Sequence, residues 1–134
     1  MKQEDKNLLI KDLSARLPYG VKCQVQEDEY TYIGTLCRIE VDNKNGHLLD
    51  FAESISGLDC QVYISEIKPY LIPMSSMTEE LREEHKDLWD NDGYSLDAND
   101  NVFTLQDFYC KYHLDYRGLI EKDLALDATG LNIY

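Results

Sequence analysis

Residues 21–51, VKCQVQEDEYTYIGTLCRIEVDNKNGHLLDF, decide the fold. In VKCQVQ, Val21, Cys23 and Val25 alternate with Lys22, Gln24 and Gln26, the period-two pattern of a strand with one buried face. The acidic Glu27-Asp28-Glu29 suits a turn, and a longer strand from Tyr30 to Val41 follows, with Ile33, Cys37, Ile39 and Val41 on one face. Gly34 inside it marks a bulge or a bend. Asn43-Lys44-Asn45-Gly46 is the strongest hairpin signal in the chain, because Asn-Gly accepts the positive φ angles of a tight turn. His47 to Phe51 is the returning strand, and Cys60 to Ile67 supplies another after a loop centred on Gly57. The pattern predicts an antiparallel meander of about four strands, either a curled sheet or a small SH3-like barrel.

Helical signals flank this block. Leu9, Leu13 and Leu17 recur at four-residue spacing with Ile10 beside them, which predicts an amphipathic helix over residues 4–17. Lys6, Asp12 and Arg16 fall off that stripe, and Pro18-Tyr19-Gly20 ends the helix. Pro69 and Pro73 bracket an extended connection. Ser76-x-x-Glu79 has capping-box spacing and opens a helix to about Asp90, with Leu81, His85, Leu88 and Trp89 as its apolar stripe. Trp89 is therefore expected to be a core anchor. Residues 90–101, DNDGYSLDANDN, read as a polar loop. Thr104 caps a second short helix with Leu105, Phe108, Tyr109 and Tyr112 on its stripe. In the tail from Asp115 to Ala128, Leu119 to Leu124 fits one or two helical turns, and Leu124, Leu126 and Ala128 fit an edge strand. The expected fold is α+β, one domain over residues 1–134: the meander packed with an N-terminal helix and two C-terminal helices.

At 134 residues the chain is long enough to build a core without disulfide or metal staples. No apolar run approaches the roughly 18 residues of a membrane span, and MKQEDKNLLIKDL lacks the apolar stretch of a secretory signal. Both point to the cytoplasm, where Cys23, Cys37, Cys60 and Cys110 would be reduced and largely buried. The net charge is −13, of which residues 75–101 carry −7. Such a field repels phosphate backbones and disfavours direct nucleic-acid binding. It attracts instead a protein partner with a basic surface, and in its sharpest form imitates a nucleic acid. The candidate interaction surface is Glu79, Glu80, Glu83, Glu84 and Asp87; the plainer reading of the same residues is a solvated helix face.

Catalytic and metal motifs fail on inspection. Asp97, Asn99 and Asn101 match the opening ligands of a calcium loop, but Val102 stands where glycine is needed and Phe108 where the closing glutamate belongs. Cys110 and His113 lie three apart, yet zinc needs three or four ligands, and only a tertiary approach of His85 or Cys60 would complete the set. The same pair lacks a glycine-rich approach for a thiol nucleophile, and Ser75 and Ser76 with His85 lack a nucleophile elbow. No cofactor is expected. Tyr30, Tyr32 and Tyr63 on strands, and Tyr109, Tyr112 and Tyr116 around the second helix, suit either core margins or an interface.

Three stretches carry a resemblance: KDLSARLPYGVKCQV at Lys11–Val25, IKPYLIPMSSMTEEL at Ile67–Leu81 and LDYRGLIEKDLALDA at Leu114–Ala128. Together they resemble small uncharacterised proteins of gut Bacteroides-type bacteria and of their prophage or mobile-element genes. The resemblance implies a lineage and no mechanism, so no functional residue is carried over. The group favours glycine where this chain has Asp123. The reading that follows is a monomeric, non-enzymatic accessory or interaction protein of mobile-element origin. Its rival is a small hydrolase or metal-dependent enzyme whose site assembles only in three dimensions around His85 or His113.

Overall fold

The computed structural model describes residues 1–42, 46–53 and 62–134. Helix α1 (Gln3–Arg16) is followed by strands β1 (Lys22–Glu27), β2 (Tyr30–Asp42), β3 (Gly46–Phe51), β4 (Val62–Tyr63) and β5 (Ile67–Leu71). Helix α2 (Glu79–Asp90), the hairpin β6 (Tyr94–Leu96) and β7 (Val102–Thr104), helix α3 (Leu105–Lys111) and strand β8 (Leu126–Asp127) complete the chain. The fold is α+β. Six strands form a sheet in the order β4-β3-β2-β1-β5-β8, antiparallel except for the parallel β5–β8 pair. The barrel expectation does not hold: β4 and β8 lie at opposite ends of the order, and the sheet stays open.

The meander forms as its alternation demands. Cys23 and Val25 point inward from β1, and β1 pairs with β2 from Lys22↔Thr35 to Glu27↔Tyr30 around Asp28 and Glu29. The pairing of Asp42 with Gly46 joins β2 to β3, while Asn43 to Asn45 of the expected turn lie outside the described residues. So do Gly57 and Cys60, the start of the expected fourth strand; its remainder divides into β4, a 3₁₀ turn at Ile64–Glu66 and β5.

Of the face expected to be buried in β2, only Ile39 turns inward. Ile33 and Val41 are exposed, as is Cys37, whereas Gly34 and Leu36 are buried. The register against β3 shifts between Leu36 and Arg38, and an extra residue in one strand reverses its inward phase. Ile39 then turns toward the core. Gly34 is not the bulge. A Cβ there would stand 3.0 Å from both the Phe51 Cβ and Tyr32 Cε2, so glycine admits a close ring rather than a bend.

Two apolar clusters form among the described residues. The larger joins Leu9 and Leu13 of α1 to the inner face of the sheet and to Leu119, Leu124 and Ala125. The smaller centres on Leu88, Phe108 and Leu114. Between them, the Ile72 N–H donates to the His113 carbonyl and the Asp115 N–H to the Ile72 carbonyl, both at 2.8 Å. The tail has no helix over Leu119–Leu124; it runs through turns into β8. Asp123 has φ +60°, the left-handed geometry that glycine adopts most readily. It is held there as its N–H donates to the Ile120 carbonyl and Lys68 pairs with its carboxylate at 2.9 Å.

Candidate functional site

Helix α2 carries the candidate surface. Its N-cap is Thr78, whose hydroxyl accepts from the Leu81 N–H at 3.2 Å; Ser76, expected in that role, instead ends a 3₁₀ turn at Met74–Ser76. Glu79, Glu80, Glu83 and Asp87 are exposed and form no ion pair among the described residues. Glu84 differs. It is half-buried and accepts the Tyr112 hydroxyl at 3.0 Å, which fixes it between α2 and α3. The five expected residues therefore share one helix, four facing solvent and the fifth turned toward α3.

The opposite side of α2 packs less deeply than expected. Leu88 is buried and Leu81 and His85 partly so, but Trp89 is 65% exposed. It lies one residue past Leu88, about 100° around the helix and beyond the edge of the stripe. His85 takes the inner place, its Nε2 2.9 Å from the Tyr109 hydroxyl and its ring 5.6 Å from that of Phe108. Trp89→Ala should consequently change the unfolding free energy by less than about 0.5 kcal/mol, as at an ordinary surface position. A urea melt showing a loss above about 2 kcal/mol would restore the core-anchor assignment.

Beyond α2 the expected polar loop is a hairpin. The helix ends in a Schellman closure: Asp92 has φ +61° and the Gly93 N–H donates to the Leu88 carbonyl at 2.8 Å. The β6–β7 strands pair from Tyr94↔Thr104 to Leu96↔Val102. Asp97 organises the turn, its carboxylate accepting from the Asn99 and Asn101 N–H groups and from the Asn101 amide. Those bonds hold its carboxyl below the usual range. Between α2 and this hairpin lies a cavity of about 340 Å³, lined by Glu84, Asp87, Leu88 and Asn91 on one wall and by Tyr94 and Phe103 on the other.

A second polar centre is buried. Asp12 and Arg16, expected off the apolar stripe of α1, are both fully inaccessible. Arg16 Nε donates to Asp12 Oδ2 at 2.7 Å, and Nη2 donates to Asp12 Oδ1 at 3.2 Å and to the Leu114 carbonyl at 2.6 Å. Arg117 Nε lies 3.2 Å from Asp12 Oδ1, close enough for charge pairing. The Tyr116 ring stands 5.5 Å from the Arg16 Cζ and 4.8 Å from that of Arg117, and stacks on Tyr109 with centroids 4.8 Å apart. Asp115 stays apart from this pairing and caps the next turn by accepting from the Leu119 and Ile120 N–H groups. Sequence spacing hints only at the Asp12–Arg16 pair, which fits the i,i+4 rule on any helix face.

Cys110 and His113 do not share a helix. Cys110 is buried in α3, where burial first of all pushes its thiol up. His113 lies past the end of α3 at φ +58°, stacked on Tyr134 with centroids 3.4 Å apart. The Tyr134 hydroxyl donates to the Tyr70 carbonyl at 2.7 Å and accepts from the Lys22 N–H at 2.9 Å, so that one side chain bridges β1 and β5. His85 belongs to the Phe108 cluster instead. Among the described residues no three His, Cys, Asp or Glu side chains gather in a way that would hold a metal ion, and Cys60 lies outside them.

Burial, with the positive charges of Arg16 and Lys22, pulls the His113 imidazole down from its ordinary 6.5 to about 4. The folded chain therefore binds fewer protons at this site than the unfolded chain between those values, and stability falls as pH falls through that window. The urea midpoint should decline from pH 6.5 toward pH 4 with a slope that His113→Asn reduces, asparagine being tolerant of the positive φ. An unchanged slope in the variant would assign the acid sensitivity to other groups.

Comparison with known proteins adds no relationship: no protein-family model, curated protein or solved structure matches the chain.

Proposed function

We propose that this chain is a non-enzymatic accessory protein that binds a protein partner with a basic surface through the acidic face of α2. The observation that carries the reading is the row Glu79, Glu80, Glu83 and Asp87, exposed on one helix that also carries Arg82 and Lys86, and without an ion pair among the described residues. Charges so placed steer encounter and set salt dependence rather than supplying large affinity. They also repel nucleic acid. Work in the cytoplasm as a monomer is consistent with free thiols at Cys23, Cys37 and Cys110, two of them buried. It is consistent too with the absence, among the described residues, of a helix long and apolar enough to cross a membrane. The mobile-element origin rests on the sequence resemblance alone.

The test begins with affinity purification of the tagged chain from its native host and identification of what accompanies it. Glu79, Glu80 and Glu83 are then replaced together by lysine, all three being exposed and outside the cavity. Affinity for the recovered protein should fall at least about tenfold at low salt, and its salt dependence should flatten. Unchanged affinity and unchanged salt dependence would reduce the acidic face to a solubilising surface.

A further inference from the structure

We propose that the cavity between α2 and the β6–β7 hairpin seats one lysine or arginine side chain of a protein partner, with an apolar neighbour beside it. This rests on the acidic-face reading and names its docking point. Three features converge on that occupant. Leu88, Phe103 and Tyr94 give the walls their apolar part, and the volume of about 340 Å³ falls in the range of small-ligand sites. The rim is anionic. Glu84 and Asp87 line it, and the carbonyl end of α2 adds the negative pole of its dipole with no basic residue in its last turn.

The third feature is Lys111, whose Nζ lies 5.7 Å from the Phe103 ring and 5.2 Å from the Tyr112 ring, without an ion pair among the described residues. A cation thus already stands against Phe103, an aromatic ring that lines the cavity. A long basic side chain matches this arrangement because its methylene stem covers apolar surface while its head reaches carboxylates and aromatic faces. A purely apolar segment would instead desolvate Glu84 and Asp87 without pairing them. An acidic segment or a phosphate chain meets like charge.

The experiment uses the ¹⁵N-labelled full chain and two probes, acetyl-Leu-Arg-Leu-amide and the same peptide with neutral citrulline in place of arginine. The arginine probe should produce saturable amide shifts at Leu88, Asn91, Tyr94, Ser95 and Phe103, and the citrulline probe should bind about fivefold more weakly, the order of one exposed ion pair. Asp87→Asn should weaken the arginine probe by a similar factor, and Lys111→Gln should tighten it about twofold by removing a competing cation. Equal binding of the two probes overturns the proposal. Saturable shifts confined to Glu79–Glu83 overturn the cavity while leaving the acidic-face reading in place. Absence of saturable shifts anywhere on α2 overturns the cavity, and the charge-reversal experiment then decides the wider reading separately.

Discussion

Arg16→Ala should lower the unfolding free energy by about 3–5 kcal/mol, the cost of breaking a buried ion pair by removing one partner. The guanidinium is fully inaccessible and donates to both Asp12 oxygens and to the Leu114 carbonyl. Alanine would leave the Asp12 carboxylate with only Arg117 beside it, and the Leu114 carbonyl without that donor. It would also empty the space of a large side chain. Asp12→Ala should cost a similar amount, since it strands two guanidinium groups rather than one carboxylate. The double replacement Asp12→Leu with Arg16→Met should cost much less than the two single losses together, because a buried charge pair exchanged for apolar groups is often near neutral. Urea unfolding of the four proteins measures the three losses. A loss below about 1 kcal/mol for Arg16→Ala would mean that water reaches Asp12 once the arginine is gone.

This ionic centre shows where sequence reading stops. Period and turn chemistry are local, so β1, β3 and the Thr104 cap of α3 were legible from neighbours alone, as was the turn expected at Glu27-Asp28-Glu29, except that Glu27 still pairs within β1. The inner face of β2 was not, because alternation carries no information about a register shift at Cys37. Strand β5 was hidden by Pro69. Proline argues against a central strand, yet β8 pairs only Tyr70 and Leu71, so at Pro69 the strand still has one open edge. Asp12 and Arg16 fall off the four-residue leucine spacing, and charged side chains are rarely fully buried unless paired. Their partners, Leu114 and Arg117, lie about a hundred residues away, and no window of local sequence contains them. The acidic helix was legible in its extent and polar face, but not in its Thr78 cap or in the exposure of Trp89. What the sequence did not disclose was the cavity at its C-terminal end, because the hairpin that forms the other wall looked like a polar loop.

Phe108→Ala is expected to be nearly as costly, at about 3–5 kcal/mol, because it empties the centre of the smaller cluster. The ring is fully buried and lies 5.6 Å from His85, 5.9 Å from Tyr109 and 5.1 Å from Tyr112. Among the described residues of this cluster Leu88 and Leu114 are buried with it, and the other neighbours that would collapse into the gap are half-exposed residues such as Leu81, Leu105 and Phe103. A shallow cluster of this kind has few atoms with which to refill a ring-sized space. The damage should nevertheless spread. Leu114 belongs to the smaller cluster while its carbonyl accepts from Arg16, and Ile72 is bonded to His113 and Asp115 on either side of it. Loosening α3 thus disturbs the buried ion pair and the edge of the larger core together. The expected result is one urea transition with a lower midpoint and an unchanged slope, read identically by far-ultraviolet circular dichroism and by Trp89 fluorescence. Two separate transitions, with the Trp89 signal lost first, would show that α2, α3 and the β6–β7 hairpin unfold on their own, and that the hydrogen bonds at Leu114 and Ile72 do not couple the two cores.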